Sequence, residues 1–274
     1  MNTVRVMSKN AAYQKFEVLR TNRNKRYRCG EFLVEGVRNI NQAIRNGWQF
    51  TSLLYSPETP LSRWAQEVLD TVSCDTHYQL SSNLMQELSG KTDTSELLAI
   101  LRMRPDDPAL LHDSPCPLYI LFDRPSNHGN LGSIIRSADA LGADGLILTG
   151  HGVDLYQPEV VTASMGSFFN LPAIRMADND TVFDWIARQR DLHPGFQVIG
   201  TTAHKQLNIT QVDFRLPTLL IIGNETEGLC RAFKEGCDLL ATIPMADTSS
   251  ASSFNVACAA TVMMYEVCRQ RAQE

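Results

Sequence analysis

Several features that would place a protein quickly are missing from this sequence. No run of 18 or more apolar residues occurs along its 274 residues, so no membrane-spanning helix is expected. The opening stretch MNTVRVMSKNAAYQKF has neither the apolar core nor the cleavage signal of a secretory peptide. Seven cysteines are scattered without a CxxC or CxxC…HxxxH spacing, which argues against a zinc site and suits reduced thiols in a cytoplasm. Neither GxGxxG nor GxxxxGKS/T is present, and the strand GLILTGHG lacks the acidic residue that a dinucleotide ribose would want. There is no GxSxG elbow, no internal repeat and no low-complexity tract.

What is present is a hydrophobic content of 43%, ample for two domains of ordinary size, and an uneven charge. The net charge is −5, yet residues 1–45 carry ten basic residues against three acidic ones; that segment is +7 and the remainder −12. The cluster RTNRNKRYR supplies Arg20, Arg23, Lys25, Arg26 and Arg28. Such a cluster can neutralise phosphates and release counterions, or it can be the solvated end of a helix and a loop.

Residues 1–105 alternate short helical and strand patterns: a polar helix near 8–20, the strand EFLVEG, a helix over VRNINQAIRNG and the strand FTSLLYS. A helix around 61–72, a strand near Tyr78 and ELLAILR follow. The proline- and acid-rich RMRPDDPALLHDSPCP reads as a linker, with 106–116 between a first domain (1–105) and a second (117–274). The second begins with PLYILFD, an apolar run bounded by turn residues, as a buried parallel strand would be. Further strands are predicted at 145–149, 197–202, 218–223 and 239–244, with helices near 130–142, 158–168, 180–190 and 227–236. This alternation predicts an α/β domain, a parallel sheet with helices on both faces. The last helix, from about Ser253, contains VACAATVMMYEV and is apolar almost all round. It is expected to be buried on more than one side, at a subunit interface or within one chain.

Three polar turns follow predicted strands: NHGNLGSIIR, IIGNETEGL and IPMADTSSASSFNV. Ligands of open α/β sheets gather at the carboxyl ends of strands, so the three turns can line one site. In the first, Asn130 is expected to cap the following helix, while Gly129 and Gly132 permit close approach. His128 in this turn is more often a structural residue than a catalytic one. Ile134, Ile135, Ala138 and Leu141 give the helix a buried face, and Arg136 lies on another. A guanidinium there suits a phosphate, though it can equally pair with Asp139 or a glutamate.

Taken together, Asn130-x5-Arg136, Gly223-Asn224-Glu225-x-x-Gly228, and Ile243-Pro244-Met245 followed by Ser253-x-Asn255-Val256 resemble the three motifs of the SpoU/TrmH-type RNA 2′-O-methyltransferases of the SPOUT superfamily. The resemblance runs from about Pro117 to Arg269, and FLVEGVRNINQAI looks like the family's N-terminal substrate-binding domain. It implies a catalytic parallel sheet with a deep trefoil knot, an exception to the rule against threaded loops. It also implies knot loops that hold S-adenosylmethionine in a bent form, here Thr201, Thr202, Ile222, Gly223, Ile243 and Met245, with Phe254 where the family usually has leucine. Arg136 matches the residue associated with loss of the 2′-hydroxyl proton; because an arginine is hard to deprotonate, a clamp on the adjacent phosphate and the developing alkoxide is the safer role. Asn130, Glu225, Ser253 and Asn255 would position Arg136 and the ribose, and no metal is required. The serine-rich loop before Asn255 is longer than the family pattern.

The expected protein is therefore a cytoplasmic, homodimeric methyltransferase that uses S-adenosylmethionine on a ribose 2′-hydroxyl of RNA. The N-terminal domain, which resembles a small α/β fold of ribosomal proteins, favours ribosomal over transfer RNA. The alternatives are a transfer-RNA 2′-O-methyltransferase and a non-catalytic RNA-binding assembly factor. Loss of Arg136 or Glu225 would have favoured the latter, and both are present.

Overall fold

The structure, a computed structural model, describes residues 2–90, 93–204 and 206–272. They form two compact units, Met1–Arg104 with Asp154–Asn170, and Pro105–Val153 with Leu171–Glu274. The chain therefore passes between the units not only near the expected linker but also on either side of Asp154–Asn170.

The first unit contains β1 (Asn2–Val6), α1 (Ala11–Thr21), α2 (Arg23–Cys29), β2 (Glu31–Glu35), α3 (Val37–Arg45) and β3 (Phe50–Tyr55). It continues with α4 (Arg63–Thr71), β4 (Thr76–Leu80), α5 (Ser82–Leu88) and β5 (Leu97–Arg102). The strands form a mixed sheet in the order β1-β4-β3-β5-β2, with β5 antiparallel to both its neighbours. Tyr13, Phe16 and Leu19 of α1 pack on Leu33, Leu54, Leu98 and Ile100. The polar helix and the basic cluster become two helices because Asn22 lies between them in extended conformation and caps the second, accepting from Lys25 N–H at 3.0 Å.

The second unit contains β6 (Leu118–Asp123), α6 (His128–Ala140) and β7 (Gly145–Thr149). After α7 (Pro158–Ala163), which belongs to the first unit, come β8 (Ala173–Met176), α8 (Asn179–Leu192), β9 (Gln197–Thr201) and β10 (Leu207–Asn208). The chain closes with β11 (Thr218–Ile222), α9 (Arg231–Gly236), β12 (Leu239–Thr242) and α10 (Val256–Arg271). Every pairing in the sheet β10-β12-β9-β11-β6-β7-β8 is parallel. β6, β7 and β11 are buried along their whole length, as continuous apolar runs in a covered parallel sheet should be. At the other end of the chain Arg271 donates to the carbonyls of Cys116, Phe214 and Leu216, tying α10 to the start of the sheet.

Two sequence expectations change here. The helix foreseen over 158–168 stops at Ala163, because Met165 (φ 54°) and Gly166 (φ 96°) turn left-handed before a short 3-10 turn at Ser167–Phe169. The stretch read as a linker is anchored: Leu111 is buried, Asp106 accepts from Arg175 N–H at 2.8 Å, and Asp113 meets His193 at 2.8 Å.

Candidate active site

Because the sheet is parallel, the turns after β6, β9, β11 and β12 all leave from the same edge. There the turns after β9, β11 and β12 line an open pocket of about 340 Å³, and the turn after β6 reaches it through Glu225. All seven residues foreseen for the cofactor, Thr201, Thr202, Ile222, Gly223, Ile243, Met245 and Phe254, line it, as do Glu225 and Ser253. Leu240, Met263, Ala203, His204 and Lys234 join them, none of which the sequence motifs marked. The lining fits S-adenosylmethionine: apolar side chains suit the adenine, strand-end backbone and threonine hydroxyls suit its polar edge and the ribose, and the volume lies in the range of ligand sites. Gly223 is required by packing, since a Cβ there would lie 2.4 Å from the backbone of both Gly228 and Leu229.

Glu225 joins the three turns. One carboxylate oxygen accepts from Ser126 N–H (2.9 Å) and Oγ (2.7 Å); the other accepts from Asn127 N–H (3.0 Å) and Asn130 Nδ2 (3.4 Å). Burial pushes this carboxyl up, but the hydrogen bonds from Ser126 and Asn130 outweigh it and hold the group below its ordinary value. Asn255 Nδ2 in turn donates to Asn130 Oδ1 (3.2 Å), while Asn255 Oδ1 caps α10 by accepting from Ala257 N–H and Cys258 N–H. A continuous polar chain thus runs from the turn after β11, through the turn after β6, to the start of α10. The cap of α6 differs from expectation: Asn127 accepts from Asn130 N–H at 2.9 Å, so Asn127 is the cap and Asn130 sits inside the first turn. This leaves the Asn130 side chain free to face Glu225 and Asn255.

Arg136 is exposed on α6 and, among the described residues, makes no hydrogen bond or ion pair, so the pairing with Asp139 or a glutamate does not form. Its neighbour Ser137 bonds Thr261 of α10 at 2.7 Å, which docks the two helices. Ser253 lines the pocket but stands outside the Glu225 chain. His128 is partly buried at the first position of α6 and does not line the pocket.

Arg124 was not marked by any motif. It adopts a left-handed backbone (φ 50°), a conformation that costs a non-glycine residue about 1 kcal/mol or more. Its guanidinium reaches buried Asp123 at 3.2 Å, the Gly228 carbonyl at 3.0 Å and the Glu227 carboxylate. A buried aspartate closing an otherwise apolar strand was the available signal.

The basic cluster of the first unit is divided by the fold. Arg26 is 0% exposed; it meets Asp154 Oδ2 at 2.6 Å, Gln157, and the carbonyls of Leu19 and Arg20. It is a core residue and not a phosphate ligand, contrary to the expectation from the charge run. Arg20 Nη1 is committed to the carbonyls of Glu87 and Leu88. Arg23 stacks on Tyr27, with its guanidinium 5.7 Å from the ring centre, and both Arg23 and Arg28 face solvent, with Lys25 half-buried.

Among the described residues no group of three or more His, Cys, Asp or Glu is placed to hold a metal ion, and no helix is long and apolar enough to cross a membrane.

The SpoU rRNA Methylase family profile matches residues 117–265, and that of the SpoU L30e-like domain matches 10–99. The 23S rRNA (uridine(2479)-2′-O)-methyltransferase of Streptomyces viridochromogenes is 46% identical over 97% of this chain and 92% of its own length. The crystal structure of the SpoU methyltransferase AviRb from Streptomyces viridochromogenes in complex with AdoMet is similar with a TM-score of 0.91, at 46% identity over 96% of this chain and 98% of that one. The AdoMet-bound rRNA methyltransferase from Sinorhizobium meliloti gives 0.83, at 29% identity over 97% and 98%. Fold, pocket and likeness define an S-adenosylmethionine-dependent methyltransferase with a parallel α/β catalytic unit. More narrowly, the chain belongs to the SpoU rRNA methylase family.

Proposed function

We propose that this chain methylates a ribose 2′-hydroxyl of 23S ribosomal RNA in the cytoplasm. The observation that carries this reading is the polar chain through Glu225, Asn130 and Asn255 at the mouth of a pocket suited to S-adenosylmethionine. When bound, the cofactor supplies an electrophilic sulfonium methyl. Glu225 and Asn255 fix the Asn130 side chain and the turn that leads into α6. Arg136, free of protein partners, clamps the phosphate beside the acceptor ribose and stabilises charge developing on the 2′-oxygen. Ser253 and the 252–254 segment orient the ribose at the rim. Holding nucleophile and methyl at near-attack distance accounts for much of the rate. The knot implied by the family likeness belongs with this reading, since it keeps the loops after β9, β11 and β12 around one ligand.

The first unit, through exposed Arg23, Arg28 and half-buried Lys25, holds the RNA backbone. The chain acts as a homodimer: Cys258, Val262 and Tyr265 form an exposed stripe on α10, with Val262 and Tyr265 43% and 58% exposed, which a second copy would cover.

The test is to incubate the full chain with radiolabelled S-adenosylmethionine and unmodified 23S ribosomal RNA or transfer RNA, beside Arg136→Ala. Label is expected in 23S RNA, at a linkage resistant to alkaline cleavage, and lost with Arg136→Ala. Label confined to transfer RNA would overturn the substrate assignment, and absence of cofactor binding would overturn the whole reading.

A further inference from the structure

We infer that Arg124 is a positioning residue that couples the cofactor pocket to the turn between β6 and α6. The inference rests on the reading of that pocket given above. Arg124 follows β6 directly and holds the 224–228 turn at both ends. Its own carbonyl accepts from Asn224 Nδ2 at 2.7 Å, while its side chain donates to the Gly228 carbonyl at 3.0 Å and to Glu227. Asn224, Glu227 and Gly228 all line the cofactor pocket, and Arg124 does not. Behind the guanidinium, Asp123 accepts from Arg124 Nε (3.2 Å) and from Cys230 N–H (2.9 Å), so the same carboxylate grips the chain just past the turn. Glu225 sits at the middle of this clamped turn, and its carboxylate is what holds Ser126, Asn127 and Asn130. A shift of the 224–228 turn therefore alters two things at once: the wall of the pocket and the orientation of the turn that leads to Arg136. The left-handed backbone at Arg124 fits this role. In that conformation the Arg124 carbonyl accepts from Asn224 Nδ2, and the fork of donors, not charge alone, closes the clamp.

The experiment measures S-adenosylmethionine affinity by calorimetry and the single-turnover methylation rate at saturating cofactor, on the full chain. Arg124→Gln is expected to weaken cofactor binding about tenfold and to lower the saturated rate by a further factor of about ten. A residue that merely stabilised the fold would change the melting temperature and leave both constants unmoved. Arg124→Lys, which keeps the charge but not the fork, is expected to recover affinity in part. Glu227→Gln, at a position 68% exposed where the fold is not at stake, is expected to weaken binding two- to fivefold. Affinity and rate within twofold of the parent for Arg124→Gln would overturn the inference. If that variant does not fold, parental values for Glu227→Gln would overturn it instead. A parent chain that itself fails to bind S-adenosylmethionine would sink the reading of the pocket, a separate and distinguishable result.

Discussion

Arg26→Met is the substitution that most directly separates a core role from an RNA role for the basic cluster. Arg26 is fully buried, and its partner Asp154 is 3% exposed at the side chain. Methionine would fill most of the volume but would leave Asp154 a buried carboxylate held, among the described residues, by Tyr156 N–H at 3.1 Å, and the Leu19 and Arg20 carbonyls would each lose a donor. Breaking a buried pair by removing one partner costs about 3–5 kcal/mol, because the remaining charge is left uncompensated. The expected loss in urea unfolding, followed through tryptophan fluorescence, is therefore about 3–5 kcal/mol. In Arg26→Met/Asp154→Leu the stranded charge is gone, and at least about 2 kcal/mol of that loss should return. The same single variant, measured where it remains folded, should leave the salt dependence of RNA binding as it was, since a buried guanidinium releases no counterion from phosphate. A loss below about 1 kcal/mol, together with a salt slope shallower by about one, would refute the assignment and return Arg26 to the RNA surface.

Arg28→Gln, by contrast, should leave stability within about 0.5 kcal/mol and reduce the salt slope of RNA binding by about one, read from filter binding between low and moderate salt. Glu225→Gln should lower the methylation rate by at least roughly tenfold and stability at neutral pH by about 1–2 kcal/mol, because one oxygen becomes an amide facing donors. The Glu225 pKa is depressed in the folded state, so its contribution is present above the ordinary glutamate value of about 4.3 and lost as the pH falls through the folded value. The stability gap between parent and variant should accordingly be flat from pH 6 to 8 and close in acid; a gap that widens in acid would contradict the hydrogen-bonding scheme. Gly223→Ala drives a methyl into the Gly228 and Leu229 backbone and should abolish measurable cofactor binding by calorimetry while costing about 1–3 kcal/mol in unfolding. Unchanged cofactor affinity would show that the loop yields without deforming the pocket.

The catalytic unit was legible because its signals are local and repeated. Each of 118–123, 145–149 and 218–222 is a continuous apolar run ended by a polar turn, and a parallel sheet brings such ends to one edge. The residues that line the pocket sit at those ends, which is why motif reading reached Thr201, Gly223 and Met245 but missed Met263, whose place depends on how α10 packs. Two asparagines three residues apart both satisfy the capping pattern of α6; in the fold Asn127 takes the cap and Asn130 turns to Glu225. β1 and β8 leave little trace in the sequence, since strands of five and four residues carry too little periodicity. Arg26 could not be told from its charged neighbours, since what distinguishes it is an aspartate 128 positions later.

The return of Asp154–Asn170 to the first unit bears on how such a protein can be inherited. A gene segment ending at Arg104 would encode Arg26 without Asp154 or Gln157, and Trp48 without the Phe169 carbonyl that its indole N–H meets at 2.9 Å. The first unit of this chain is thus not a cassette that recombination can lift from one relative and set before another catalytic half. An exchange would have to carry two separated stretches together, or else keep the hidden arginine and aspartate matched by parallel change. Swapped chimaeras joined at the apparent linker alone are therefore expected to be poor proteins, and descent should bind the two halves into one lineage.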